Sequence, residues 1–155
     1  MNKEEINFID NLSKKAENKY LFEANIAQGG MKEIYSVKDR DTARNIAMAV
    51  MLDNENSGTF AKTEKERFIY EARISANLEH PNICPIHDIG IDENNNPYFT
   101  MKLIGGEDFQ KIIDMLKTGD SKYQEKYTIP YLLEIFKNIC QAIAFAHSKG
   151  VIHLD

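Results

Sequence analysis

The chain has 155 residues, of which 43% are hydrophobic and 28% charged, with a formal net charge of -5. That is the size and composition of one soluble globular domain with enough core to fold alone. The acidic balance, with no basic block, argues against a nucleic-acid binder, whose surface must neutralise phosphates.

The opening stretch MNKEEINFIDNLSKK carries early acidic residues and no apolar run long enough for a secretory signal. Within it Ile6, Ile9, Leu12 and Ala16 recur at helical spacing, which predicts an amphipathic helix over 3–18. Tyr20–Ile26 and Glu33–Val37 read as short strands around the glycine pair Gly29-Gly30, a hairpin pattern. Asn45–Leu52 is an apolar run suited to a well-buried third strand. A loop rich in Asn, Gly and Ser over Asp53–Ala61 precedes a helix. Thr63 and Glu66 have capping-box spacing at its start, Phe68, Ala72, Ser75 and Leu78 share one face, and His80-Pro81 ends it. Ile86–Asp92 and Tyr98–Ile104 predict two more strands joined by the turn Glu93–Pro97.

Gly105-Gly106 breaks the second of these strands, and a helix follows over Phe109–Lys117. After a polar stretch, 118–127, a longer helix runs from Pro130 to His147. Proline suits its first turn and Gly150 its carboxyl-terminal cap. Leu133, Phe136, Ile139, Cys140 and Ile143 form its apolar stripe. No segment approaches the ~20 apolar residues of a membrane span, so no membrane is expected here and the expected setting is cytoplasmic. Cys84 and Cys140 lie far apart without CxxC spacing, which indicates neither zinc nor a disulfide; both read as small buried hydrophobes. The fold class is α+β: a strand-rich lobe with one helix, then the start of a helical lobe.

Six segments in this order resemble a serine/threonine protein kinase domain of the bacterial type. Ile26-Ala27-Gln28-Gly29-Gly30-Met31-Lys32-Glu33-Ile34-Tyr35 is similar to the glycine-rich loop and the strand after it. Ile46-Ala47-Met48-Ala49-Val50 is similar to the segment usually written V-A-I-K, and Arg67–Ala72 to the helix that carries the partner glutamate, here Glu71. His80-Pro81-Asn82-Ile83, Tyr98–Leu103 and His147–Asp155 are similar to the turn after that helix, the hinge strand and the approach to the catalytic loop. The resemblance covers residues 20–155. It implies a five-stranded antiparallel N-lobe with its helix over 20–104, a truncated C-lobe over 105–155, and an N-terminal helical extension over 1–19.

The resemblance also implies a nucleotide site. Backbone at Ala27, Gly29 and Gly30 would approach phosphates, with Ile26, Ile34 and Ala47 against the base. Met101 would stand behind the pocket, and Lys102 and Leu103 would offer hinge backbone groups. Asp108 could accept from ribose hydroxyls, or cap the helix that starts at Phe109. Asp155 would accept the substrate hydroxyl proton. ATP with Mg2+ would be the cofactor and a protein the substrate of the complete domain.

Three departures from the family pattern bear on activity. Ala49 stands where the family's lysine should pair with phosphates and with Glu71. Losing one preorganised charge of this kind costs ~10²–10³ in rate, a pseudokinase signature. Lys32 offers a substitute, because strand alternation puts it on the face of Ile34, and small Ala47 and Ala49 leave room beside it. That placement resembles the with-no-lysine kinases; the plainer alternative is a solvated lysine at the end of a loop. Leu154 replaces the arginine of H-R-D. The catalytic-loop asparagine and the D-F-G metal ligand would both lie beyond Asp155, so these 155 residues alone are expected to be inactive.

Overall fold

The computed structural model describes residues 19–29, 32–51 and 59–153. The predicted helix over 3–18, Gly30 and Asp155 lie outside the described residues. Strands β1 (Tyr20–Gln28), β2 (Lys32–Asp39) and β3 (Asn45–Met51) are followed by helix α1 (Thr59–Ala76) and strands β4 (Ile86–Ile91) and β5 (Pro97–Lys102). Helices α2 (Phe109–Lys117), α3 (Ser121–Lys126) and α4 (Ile129–Ser148) complete the order. The fold divides into two compact units. One takes the chain up to Glu79 together with Cys84–Leu103, and the other takes His80–Ile83 with Ile104 onward.

The first unit is an antiparallel five-stranded sheet in the order β1-β2-β3-β5-β4. β3 lies at its centre, and the continuous apolar run there is buried toward both faces: Ile46, Ala47, Met48, Ala49 and Met51 are all buried. On one face Tyr20, Val37, Ile46, Met48 and Tyr98 form the core cluster, with Tyr35 and Val50 packed against it. The other face carries Ala47, Ala49 and Phe99, and α1 packs there through Phe68, whose ring centroid is 5.1 Å from that of Phe99.

The sheet is strongly curled. β1 and β4 are its outer strands, and a flat sheet would hold them four spacings of ~4.8 Å, about 19 Å, apart. Yet the Tyr20 hydroxyl donates to Asp88 Oδ2 at 3.0 Å, and Lys19 Nζ donates to the same oxygen at 2.8 Å. Side chains from opposite edges therefore meet over the core cluster. Tyr98 fills the space beneath them, its ring edge-on to Tyr20 with centroids 6.1 Å apart. It also lies so close over Gly90 that a Cβ there would be 2.4 Å from the phenol oxygen. Burial pushes the Tyr98 phenol up to about 12.

Turns close the hairpins with side-chain oxygens. Asp39 Oδ1 accepts from Asp41 N at 2.9 Å and Thr42 N at 3.3 Å between β2 and β3. Asp92 Oδ1 accepts from Asn94 N at 2.9 Å and Asn96 N at 2.7 Å between β4 and β5, with Asn95 at φ 62°. Asn tolerates that left-handed conformation better than most residues.

α1 differs from its sequence expectation, because it starts at Thr59 and places Thr63 inside the helix rather than at its cap. No breaker stands between Thr59 and Thr63, and extending a formed helix backward is cheap.

In the second unit, Asp108 caps α2 by accepting from Gln110 N at 2.6 Å. The polar stretch 118–127 holds α3, capped by Asp120, which the apolar periodicity did not reveal. α4 ends in a glycine-dependent cap: Gly150, at φ 76°, donates to His147 O at 2.9 Å and Val151 N to Ala146 O at 3.0 Å. His80–Ile83 packs on α4, with His80 and Phe145 rings 5.3 Å apart and Asn82 Nδ2 donating to Asn138 O at 3.1 Å. Leu133, Phe136, Ile139 and Ile143 are exposed, and so is Cys140, contrary to its expected burial. The half-buried side of α4 carries Leu132, Ile135 and Phe145 instead. By length and composition α4 is apolar enough to cross a membrane, which the sequence reading had not counted. Its exposed Glu134–Lys137 pair and its packing against His80–Ile83 are those of an amphipathic helix in a folded domain.

Two outcomes test the curled sheet. Burial raises the Asp88 pKa, but the Lys19 and Tyr20 hydrogen bonds outweigh it, so the net shift is below the ordinary 3.8. A depressed carboxylate stabilises the fold above its unfolded pKa and stops doing so as pH falls through its folded value. Because Asp88 is 41% exposed, solvent screening weakens the pair, and Asp88→Asn is expected to cost at most about 1 kcal/mol at pH 7, with the gap to wild type closing below about pH 4, as read by thermal melts across pH. Gly90→Ala forces the Tyr98 ring aside and is expected to cost about 1–3 kcal/mol in urea titrations.

Candidate nucleotide-binding face

The register fixes which side chains share a face. Lys32 pairs with Met51, Ile34 with Ala49 and Ser36 with Ala47. Ala27 pairs with Ile34 across β1–β2, and Ala47 with Met101 and Ala49 with Phe99 across β3–β5. Directly opposed residues point to the same side. Lys32, Ile34, Ala27, Ala47, Ala49 and Met101 therefore lie on the face that receives α1. Ala47 and Ala49 are 2% and 0% exposed, Ile34 and Met101 half-buried, and Ile26 and Ala27 exposed.

The β1–β2 hairpin is closed by Gly29 N donating to Lys32 O at 2.9 Å. This amide is thus engaged within the hairpin. A Cβ at Gly29 would meet only Lys32 O, at the ordinary contact distance of 3.5 Å. The fold does not itself require glycine at this position, so the bare backbone is free to serve close approach by a ligand. At the other end of the face, Lys102 N donates to Pro85 O at 3.2 Å and Lys102 O accepts from the Cys84 thiol at 3.6 Å. Burial pushes the Cys84 thiol up. Leu103, half-buried, ends this unit.

Glu71 departs from its expected inward pairing. It is exposed and accepts from Arg67 Nε at 3.1 Å, an i,i+4 pair within α1. Ala72 is the buried residue of this turn, so Glu71 stands one position off, at the rim of the packed face. Lys32 is exposed and has no ion-pair partner among the described residues. The spacing of Phe68, Ala72, Ser75 and Leu78 locates the face correctly. It does not separate its centre from its edge.

In the second unit, Asp108 is committed through one oxygen to capping α2. Next to it Glu107, which the sequence reading passed over, gathers Tyr123, Tyr127 at 3.3 Å, Lys111 at 3.2 Å and Lys126 at 3.8 Å. The Tyr123 hydrogen bond, with Lys111, holds its carboxyl below the usual range, and Glu107 in turn pushes the Tyr123 phenol up to about 12. A tyrosine ladder on the α3–α4 side, Tyr123-Tyr127-Tyr131 with successive centroids 5.7 Å apart, was the available signal.

The protein kinase domain family matches residues 20–155. The chain belongs to the protein kinase family. It is 31% identical over 133 residues to the serine/threonine-protein kinase PknD of Chlamydia trachomatis, covering 84% of this chain and 14% of that protein. It is 36% identical over 140 residues to PknD of Protochlamydia amoebophila, with 84% of this chain and 13% of that protein covered. The chain thus spans about one seventh of the length of these kinases. A solved structure titled PpkA-294 apo form superposes with a TM-score of 0.72 at 20% identity, covering 89% of this chain and 52% of the other. The sheet with α1 is a kinase N-lobe, and α2–α4 belong to a partial C-lobe.

The α1 face of the kinase sheet carries the small, buried Ala47 and Ala49 and the exposed Lys32. Among the described residues no three His, Cys, Asp or Glu side chains are grouped to hold a metal ion. The exposed Arg67–Glu71 pair holds α1 to nothing else. Glu71→Ala is therefore expected to change stability by less than about 0.5 kcal/mol in urea titrations.

Proposed function

We propose that this chain is the ATP-binding portion of a serine/threonine protein kinase whose complete domain transfers the γ-phosphoryl group of ATP to protein Ser or Thr hydroxyls. Phosphoryl transfer is largely positioning and neutralisation of charge. In this reading the chain's own part is to bind and orient the nucleotide. Ile34 and Ala47 meet the base, Met101 bounds the pocket, and Lys102 and Leu103 offer backbone groups to the base edge. The β1–β2 turn approaches the phosphates, and Lys32 supplies the positive charge that Ala49 does not. Magnesium, held by residues of the complete domain, neutralises phosphate charge. Asp155 is the base that orients the substrate hydroxyl. The 155 residues alone bind nucleotide without useful turnover.

The observation that carries this reading is the register of β2 on β3, in which Lys32 shares a face with the buried Ala49 two rungs along. A second reading is favoured by Glu71, which turns to Arg67 rather than to the nucleotide face. Under it the chain is a pseudokinase-like module that holds nucleotide or a partner protein without chemistry. Titration of an ATP analogue into wild type and Lys32→Met, with and without magnesium, separates the two. The kinase reading expects about a tenfold or greater loss of affinity on removing the ammonium from the phosphates. Equal affinity in wild type and variant would take Lys32 out of the site and leave the binding-module reading.

A further inference from the structure

α1 needs something to set its position on the sheet. In the kinase reading a third-strand lysine would help by pairing with the helix glutamate, but position 49 is alanine and Glu71 is bound to Arg67 of its own helix. An i,i+4 pair within one helix cannot fix that helix to anything. Among the described contacts that do so are the Phe68–Phe99 ring contact, burial of Ala72, and a polar contact one turn earlier. There Lys65 Nζ donates to Asn95 O at 3.0 Å and to Asn96 Oδ1 at 3.2 Å, both in the β4–β5 turn.

The receiving turn is held by hydrogen bonds of its own. Asp92 Oδ1 holds the Asn94 and Asn96 amides, Asp92 N donates to Asn96 O at 2.9 Å, and Asn95 N donates to Asp92 O at 3.1 Å. Asn95 in the left-handed region completes the turn. The two acceptors are thus preorganised, and the ordering cost falls on the Lys65 side chain alone. Lys65 and Phe68 are three residues apart and share a helix face. One contact is polar and directional and the other apolar. Together they fix both the roll of α1 and its slide along the strands, which a ring contact alone leaves free.

We propose that Lys65 is a positioning residue for the nucleotide site. Its ammonium, seated on the Asn95–Asn96 turn, fixes α1 over the sheet face that carries Lys32, Ala47 and Ala49, taking over the helix seating that a lysine at position 49 would provide. The proposal rests on the ATP-binding reading, and its test separates the two. Amide hydrogen exchange and ATP-analogue affinity are measured on the whole chain for wild type, Lys65→Met, Lys65→Arg and Asn96→Ala. Lys65→Met and Asn96→Ala are expected to speed exchange in α1 by about three- to tenfold, the worth of one or two such hydrogen bonds. Exchange in β2 and β3 should stay within about twofold, since the Asn95–Asn96 turn that receives Lys65 joins β4 and β5. Affinity is expected to fall by a similar factor, and Lys65→Arg, whose longer cation reaches the same oxygens, to restore both. Unchanged α1 exchange in Lys65→Met and Asn96→Ala would overturn the anchor. Faster exchange with undiminished affinity would reduce Lys65 to a structural residue and overturn the positioning role. If wild type bound no nucleotide while α1 exchange still responded, the ATP-binding reading would fail and the anchor would stand.

Discussion

The first unit depends on one carboxylate. Asp88, on an outer strand, receives Lys19 and Tyr20 from the start of the opposite outer strand, and this contact holds the sheet in its curl. The curl turns one face inward over Tyr98 and Met48 without the help of a helix, leaving the other face for α1. Hydrophobic burial supplies most of the energy. A polar contact between the two edges selects the curvature at which that burial is complete. The requirement reaches back into the sequence: β3 is apolar from Ile46 to Met51, and Gly90 must lack a side chain beneath Tyr98.

Much of this was legible in the amino acids. Strand alternation and the apolar run at 45–52 located all five strands, because a period of two and a doubly buried centre leave plain marks. Pro130 and Gly150 bounded α4 for stereochemical reasons that do not depend on tertiary context. What escaped were features set by distant partners. The Lys19–Asp88 contact joins residues 69 apart, and no local pattern announces it. α3 is short, polar and unburied, so it carries no periodicity, and only the Asp120 cap gives it away. Glu71 fell at the margin of a helical face, where a shift of one position decides between burial and solvent.

The family resemblance concentrates on the α1 face of the sheet. Register pairs Lys32, Ile34 and Ala49 on one side, and that placement follows from alternation alone once the hairpin closes. The hairpin also binds its own Gly29 amide, so a phosphate would have to compete for that donor with the Lys32 carbonyl. Nothing comparable could be read from glycine spacing, which reports permissiveness of the backbone and not where its hydrogen bonds go.

His80–Ile83 belongs to the second unit although the chain before and after it belongs to the first. The polypeptide therefore passes between the units three times, and no single cut separates them. Order of synthesis gains a meaning from this. Asn82 bonds to Asn138, 56 residues later, a gap of about 3–11 s at ordinary translation rates. The sheet can be complete while this short tongue still waits for α4 to emerge. During that interval the Asn82 side-chain amide has no Asn138 carbonyl to donate to.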